Sequence, residues 1–95
     1  MRVFGSGPSL REIDRIVSQK MDDTVWRPVT HGDKDFGEAM NEILIWAEKY
    51  IKENDLSLWK ASKVSGSIES IVFSNVPGRT GAIWRKRIRS HLLLE

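Results

Sequence analysis

Residues 77–92 read PGRTGAIWRKRIRSHL, and this stretch decides how the end of the chain folds. Trp84, Ile88 and Leu92 recur every four residues. At 100° per residue they fall, with Gly81, within about 40° of Ile88 on one side of an α-helix. Every charged group in the stretch is a cation: Arg79, Arg85, Lys86, Arg87 and Arg89. With Ile88 at the centre of the buried side, Arg79, Ala82, Lys86 and Arg89 point away from the core. Ile83 falls on the outer side too, beside Arg87. Pro77-Gly78 forms the turn before this helix, and Thr80 is the expected cap.

Working back from that turn, residues 68–76 fit a helix through Ile68, Ile71, Val72 and Val76. Their β-branched content also suits a strand. Helix is preferred, because the next element follows after only a short turn. Residues 56–64 form a third helical segment, with Ser57 as cap and Leu58, Trp59 and Ala61 facing inward. Ser65-Gly66-Ser67 breaks the pattern. The strongest helix starts at Asp33 or Asp35 and ends at Asn54-Asp55. Phe36, Met40, Ile43, Leu44, Ala47, Tyr50 and Ile51 make its broad apolar face, and Ile45 and Trp46 are expected to pack on the first helix. Residues 22–35 contain Trp26, Pro28 and Gly32 without periodicity, and read as loop or extended chain with Trp26 and Val29 pinned to the core. The first helix opens at Ser9, with Glu12 as its capping-box partner. It carries Leu10, Ile13, Val17 and Met21 at helical spacing and ends near Met21. Residues 1–8 read as a flexible leader.

The expected fold is therefore all-α: a small bundle of four or five helices in a single domain spanning residues 1–95, with a helix-turn-helix at the C-terminal end. The alternative is α+β, with short strands near 24–29 and 68–73. Ninety-five residues suffice for one modest core, and four tryptophans help to fill it.

Composition narrows the function. Without cysteine there is no disulfide and no thiolate metal site. His31 and His91 lie too far apart in sequence to suggest a ligand pair, so no metal and no other cofactor is expected. No apolar run reaches the ~18 residues of a membrane span, and no signal peptide opens the chain. An intracellular location is expected, nuclear in a eukaryote or cytoplasmic in a bacterium or phage. The catalytic and phosphate-loop motifs of hydrolases, nucleotide-binding enzymes and zinc proteases are missing. His31-Gly32-Asp33-Lys34-Asp35 is the only cluster of acid-base groups, and a loop leading into a helix cap accounts for it. A non-enzyme with no small-molecule substrate is the expectation.

The net charge of +2 conceals a division. Residues 1–57 hold eight Lys/Arg against eleven Asp/Glu, and residues 58–95 hold seven against two. Such asymmetry points to a polyanionic partner. A basic helix entered through a tight turn can lie in a DNA major groove, its first turns on base edges and its later cations on phosphates. Double-stranded DNA is thus the expected partner, read sequence-selectively. The competing expectation is a protein-interaction module, in which an acidic face at Glu38, Glu42 and Glu53 or the basic helix meets a protein. An accessory protein of a phage or plasmid that binds a host protein is a further form of it.

The same residues resemble the Myb/SANT family. The string PGRTGAIWRKRIRSHL is similar to the turn and third helix of such domains, with an inward aromatic, a basic run and a closing His-Leu. Leu58-Trp59-Lys60-Ala61 resembles the start of their second helix, and the long helix with Trp46 their acidic first helix. The resemblance covers residues 36–93, and residues 9–21 would then be an accessory helix. The tryptophan spacing departs from the family's pattern, as if residues 66–76 were inserted. The resemblance implies DNA contacts at Arg79, Ala82, Ile83, Lys86, Arg87 and Arg89, with Trp84 and Ile88 in the core.

Overall fold

The structure, a computed structural model, describes residues 7–93. Most of the leader read at 1–8 lies outside the described residues. Those residues form an all-α bundle with no strand, so both segments of the α+β alternative are helical. The elements are α1 (Leu10–Met21), a π-helical segment (Asp22–Trp26), α2 (Arg27–Thr30), α3 (Phe36–Glu53), α4 (Leu58–Asn75) and α5 (Arg79–Leu93).

The first helix opens as its sequence dictates. The Ser9 side chain accepts a hydrogen bond from the Glu12 amide at 3.1 Å, and Glu12 accepts one from the Ser9 amide. This reciprocal cap satisfies two amides that no earlier turn can reach. The helix does not end at Met21. It runs through the π-helical segment into α2, so the loop read at 22–35 shrinks to a short connection. The cause is the spacing of the core residues. Ile13, Val17, Met21 and Val25 are fully buried and stand four apart. An α-helix turns about 40° too far over each four-residue step, so the row would drift off the core. A wider turn, in which the Arg27 amide bonds the Asp22 carbonyl, takes up that drift and lets Trp26 and Val29 face inward. Pro28 lacks an amide hydrogen and sits in the first turn of α2, where it is tolerated.

Gly32, at φ +77°, stops the helix. The Asp33 amide closes the end on the Pro28 carbonyl at 2.9 Å, a C-cap that needs a left-handed residue. Asp35 then caps α3 through the Glu38 amide at 2.8 Å. Asp55, at φ +49°, ends α3 in the same way, and Ser57 caps α4.

α4 is the main departure from the sequence reading. Ser65-Gly66-Ser67 does not break it, and residues 58–75 form one helix. Both serines are buried, and each hydroxyl donates to a carboxylate: Ser65 to Glu69 and Ser67 to Asp14, both at 2.8 Å. Small residues let α4 pack between α1 and α5. Leu58 and Trp59 do not face inward, being 74% and 71% exposed. Ile45, expected against α1, is also exposed, whereas Trp46 lies beneath Lys20 of α1 and stacks on Tyr50.

Fully or nearly buried side chains of α1, α3, α4 and α5 meet in one core, among them Ile13, Met40, Ile43, Ile68 and Ile88. An aromatic chain ties its parts together. Trp26 stacks on Phe36 with ring centres 5.9 Å apart, and Phe36 meets the edge of Trp84 at 5.7 Å.

Candidate nucleic-acid interface

α5 follows a three-residue turn, Val76-Pro77-Gly78. Gly78 takes φ +85°, and its carbonyl accepts the first helical bond from the Ala82 amide at 3.0 Å. Thr80 is therefore inside the helix rather than its cap. Gly81 sits where α5 passes over this turn. A Cβ there would lie 1.9 Å from the Val76 carbonyl oxygen, so only glycine permits the approach.

The phase of α5 matches its amphipathic pattern. Gly81, Trp84 and Ile88 are buried and Leu92 is half-buried, while Arg79, Ala82, Ile83, Lys86 and Arg87 are exposed. Ile83 stays 45% exposed at the first turn of the basic face. No residue of α5 is acidic. The exposed outer row thus combines cations with one branched apolar side chain and one small one.

The two flanks of this row differ. Toward α3, the Arg87 guanidinium lies 4.9 Å from the Trp84 ring centre, a cation–π contact that holds it against the bundle. Lys86, Arg87 and His91 line a shallow groove of about 450 Å³ with Asn41 and Leu44. His91 Nε2 is 3.8 Å from a Glu48 carboxylate oxygen. Toward α4, Arg85 and Arg89 converge on Glu69. Arg89 Nε donates to Glu69 Oε1 at 2.8 Å and Arg85 Nε to the same oxygen at 3.2 Å. The Glu69 side chain is only 6% exposed, and the two arginines are about half exposed. Phe73 lies under the Arg85 guanidinium, 5.7 Å away.

Of the six residues read as contacts, Arg79, Ala82, Ile83 and Lys86 share the open outer side of α5, and Arg87 is exposed at its α3 flank, resting on Trp84. Arg89 is different: its guanidinium is turned to α4 and bonded to Glu69. Sequence reasoning missed Glu69 altogether. It belongs to the stretch read as helix or strand, and only an unbroken α4 places it one turn after Ser65 and opposite Arg85 and Arg89. No group of metal-ligating side chains occurs among the described residues, and none of their helices is long and apolar enough to cross a membrane.

Comparison with known proteins finds no matching family, no matching curated protein and no matching solved structure. The site must be read from its own geometry.

Proposed function

We propose that the chain is a non-catalytic, sequence-selective DNA-binding domain that lays α5 in the major groove. The observation that carries this reading is the acid-free outer face of α5, where Arg79, Lys86 and Arg87 surround the exposed Ala82 and Ile83. Cations on such a face serve phosphates, and the first-turn side chains reach base edges, where an aliphatic group can contact a thymine methyl. α4, the short turn and α5 then act as a helix-turn-helix, and the Myb/SANT resemblance belongs to the same proposal. Trp84 and Ile88 fix the rotation of α5. Glu69 fixes its position on α4 by holding Arg85 and Arg89, so Arg89 is assigned to this support and only its outer edge to DNA.

Selection from a random duplex pool at about 50 mM salt tests the reading, run with the wild type and with Ile83→Ser. The wild type should enrich a motif. The variant should enrich a different or degenerate one while its stability stays within about 0.5 kcal/mol, as expected of a surface change. Enrichment of the same motif by both proteins removes Ile83 from the reading surface. No retention of DNA by the wild type removes the proposal.

A further inference from the structure

Five large apolar side chains are conspicuously exposed among the described residues, and three of them lie on α4: Leu58, Trp59 and Phe73. At 100° per residue Trp59 and Phe73 fall within about 20° of Gly66, and Ser62 and Ser70 within about 40°. The centre of this face, at Gly66, covers nothing, while its Phe73 end packs against Gly81 and Arg85 of α5. A groove of about 470 Å³ runs along it, lined by Ser62, Gly66, Ser70, Phe73, Arg85 and Leu93 among others. Two exposed aromatic rings about 21 Å apart along one helix face, with only serine and glycine between them, leave room for a partner helix.

The arrangement along the helix is self-complementary. Trp59 and Phe73 stand seven residues before and after Gly66, and Ser62 and Ser70 four before and after. Turning α4 end for end about Gly66 puts aromatic on aromatic and serine on serine. No packing within the chain requires a glycine at position 66. Gly66 is helical and exposed, and a Cβ built on it meets nothing within 4 Å. A mid-helix glycine weakens a helix relative to alanine, so its use here fits a close approach from outside.

We propose that a second copy of this chain docks on this face, α4 against α4 and antiparallel, with a twofold axis beside Gly66. An isologous contact requires one patch that fits itself, and the symmetric spacing supplies it. Charge permits the pairing. No charged residue of α4 lies within about 40° of the Gly66 line. Beside it Arg85 and Arg89 share Glu69, which leaves one positive charge per chain at the rim, where salt screens it, and Lys63 is paired with Asp14. Area permits it too. The exposed parts of Trp59 and Phe73 in two copies cover roughly 500 Å², about a third of the ~1,600 Å² of a standard interface. The groove walls and the rest of α4, about 27 Å long, account for the remainder. The dimer does not depend on the DNA reading.

Sedimentation equilibrium of the full chain between about 1 and 500 µM tests this. The wild type should shift from monomer to dimer with concentration. Gly66→Leu should remain monomeric throughout, with the same circular dichroism and no lower melting temperature, because a Cβ at 66 has nothing within 4 Å in one chain and leucine favours a helix over glycine. A wild type that stays monomeric overturns the proposal, and so does a Gly66→Leu protein that dimerises as the wild type does. Orientation is tested separately, since the chain has no cysteine of its own. Gly66→Cys should oxidise readily to a disulfide-linked dimer across the axis. Trp59→Cys should not, because the two copies of position 59 would lie about 21 Å apart in an antiparallel pair. Equal cross-linking at both positions would overturn the antiparallel arrangement.

Discussion

Glu69 is the only charged side chain that the fold buries among the described residues. Its carboxylate keeps its charge company with two guanidiniums and the Ser65 hydroxyl, which supply what water no longer does. Both arginines are half in solvent, so their loss of a partner is partly compensated there. Glu69→Ala should therefore lower the unfolding free energy by about 1–3 kcal/mol in a urea titration. A change under about 0.5 kcal/mol would mean that the cluster does not hold α5 on α4. Tyr50 presents the opposite case. Its hydroxyl is buried without a hydrogen-bond partner. Burial raises its pKa above 10.0; the Glu12 carboxylate adds to the rise and the Arg15 guanidinium opposes it. The folded state then holds the phenol proton more tightly than the unfolded state, so this contribution is complete below pH 10 and is lost as pH rises above it. Tyr50→Phe should unfold at an unchanged or higher urea midpoint at pH 7 and show a shallower loss of stability above pH 10. An identical alkaline profile in both proteins would remove Tyr50 as its source.

At the scale of elements, the turn between α4 and α5 controls where the basic helix sits. Gly81→Ala forces a methyl group against the Val76 carbonyl. The expected outcome is a loss of more than about 1 kcal/mol, read by denaturation, together with weaker DNA binding from a displaced α5. Unchanged stability would mean that the turn has slack. The phase of α5 was legible in the sequence because one helix face carries Trp84, Ile88 and Leu92 and the rest carries one sign of charge. α4 was not legible, because it is packed on two sides and small residues stand where its neighbours approach. Ser65-Gly66-Ser67 looks like a breaker until Glu69 and Asp14 are placed to accept the serine hydroxyls, and neither partner is predictable from propensity. The continuation of the first helix to Thr30 was hidden for a related reason. Asp22-Asp23 and Pro28 interrupt the ordinary helical repeat, whereas a π-helical turn keeps Val25, Trp26 and Val29 on the core. Trp59 was misread because apolar character alone assigns it to the interior; its exposure shows that the one-way rule for apolar burial leaves room for surface anchors.

The whole molecule separates its charge along the chain, with acids concentrated in residues 1–57 and cations in residues 58–95. In the DNA reading the cations gathered in residues 58–95 steer the α5 face toward the phosphates. Arg79, Lys86 and Arg87 are each assigned a phosphate, so binding must release counterions. The decisive measurement is the affinity for duplex DNA as a function of salt, for the wild type and for Lys86→Ala. The account predicts tight binding at about 50 mM salt and a linear fall of log K with log salt, with a slope shallower by about 0.9 once Lys86 is removed. A wild type that does not bind at about 50 mM salt, or a slope that Lys86→Ala leaves unchanged, would contradict it.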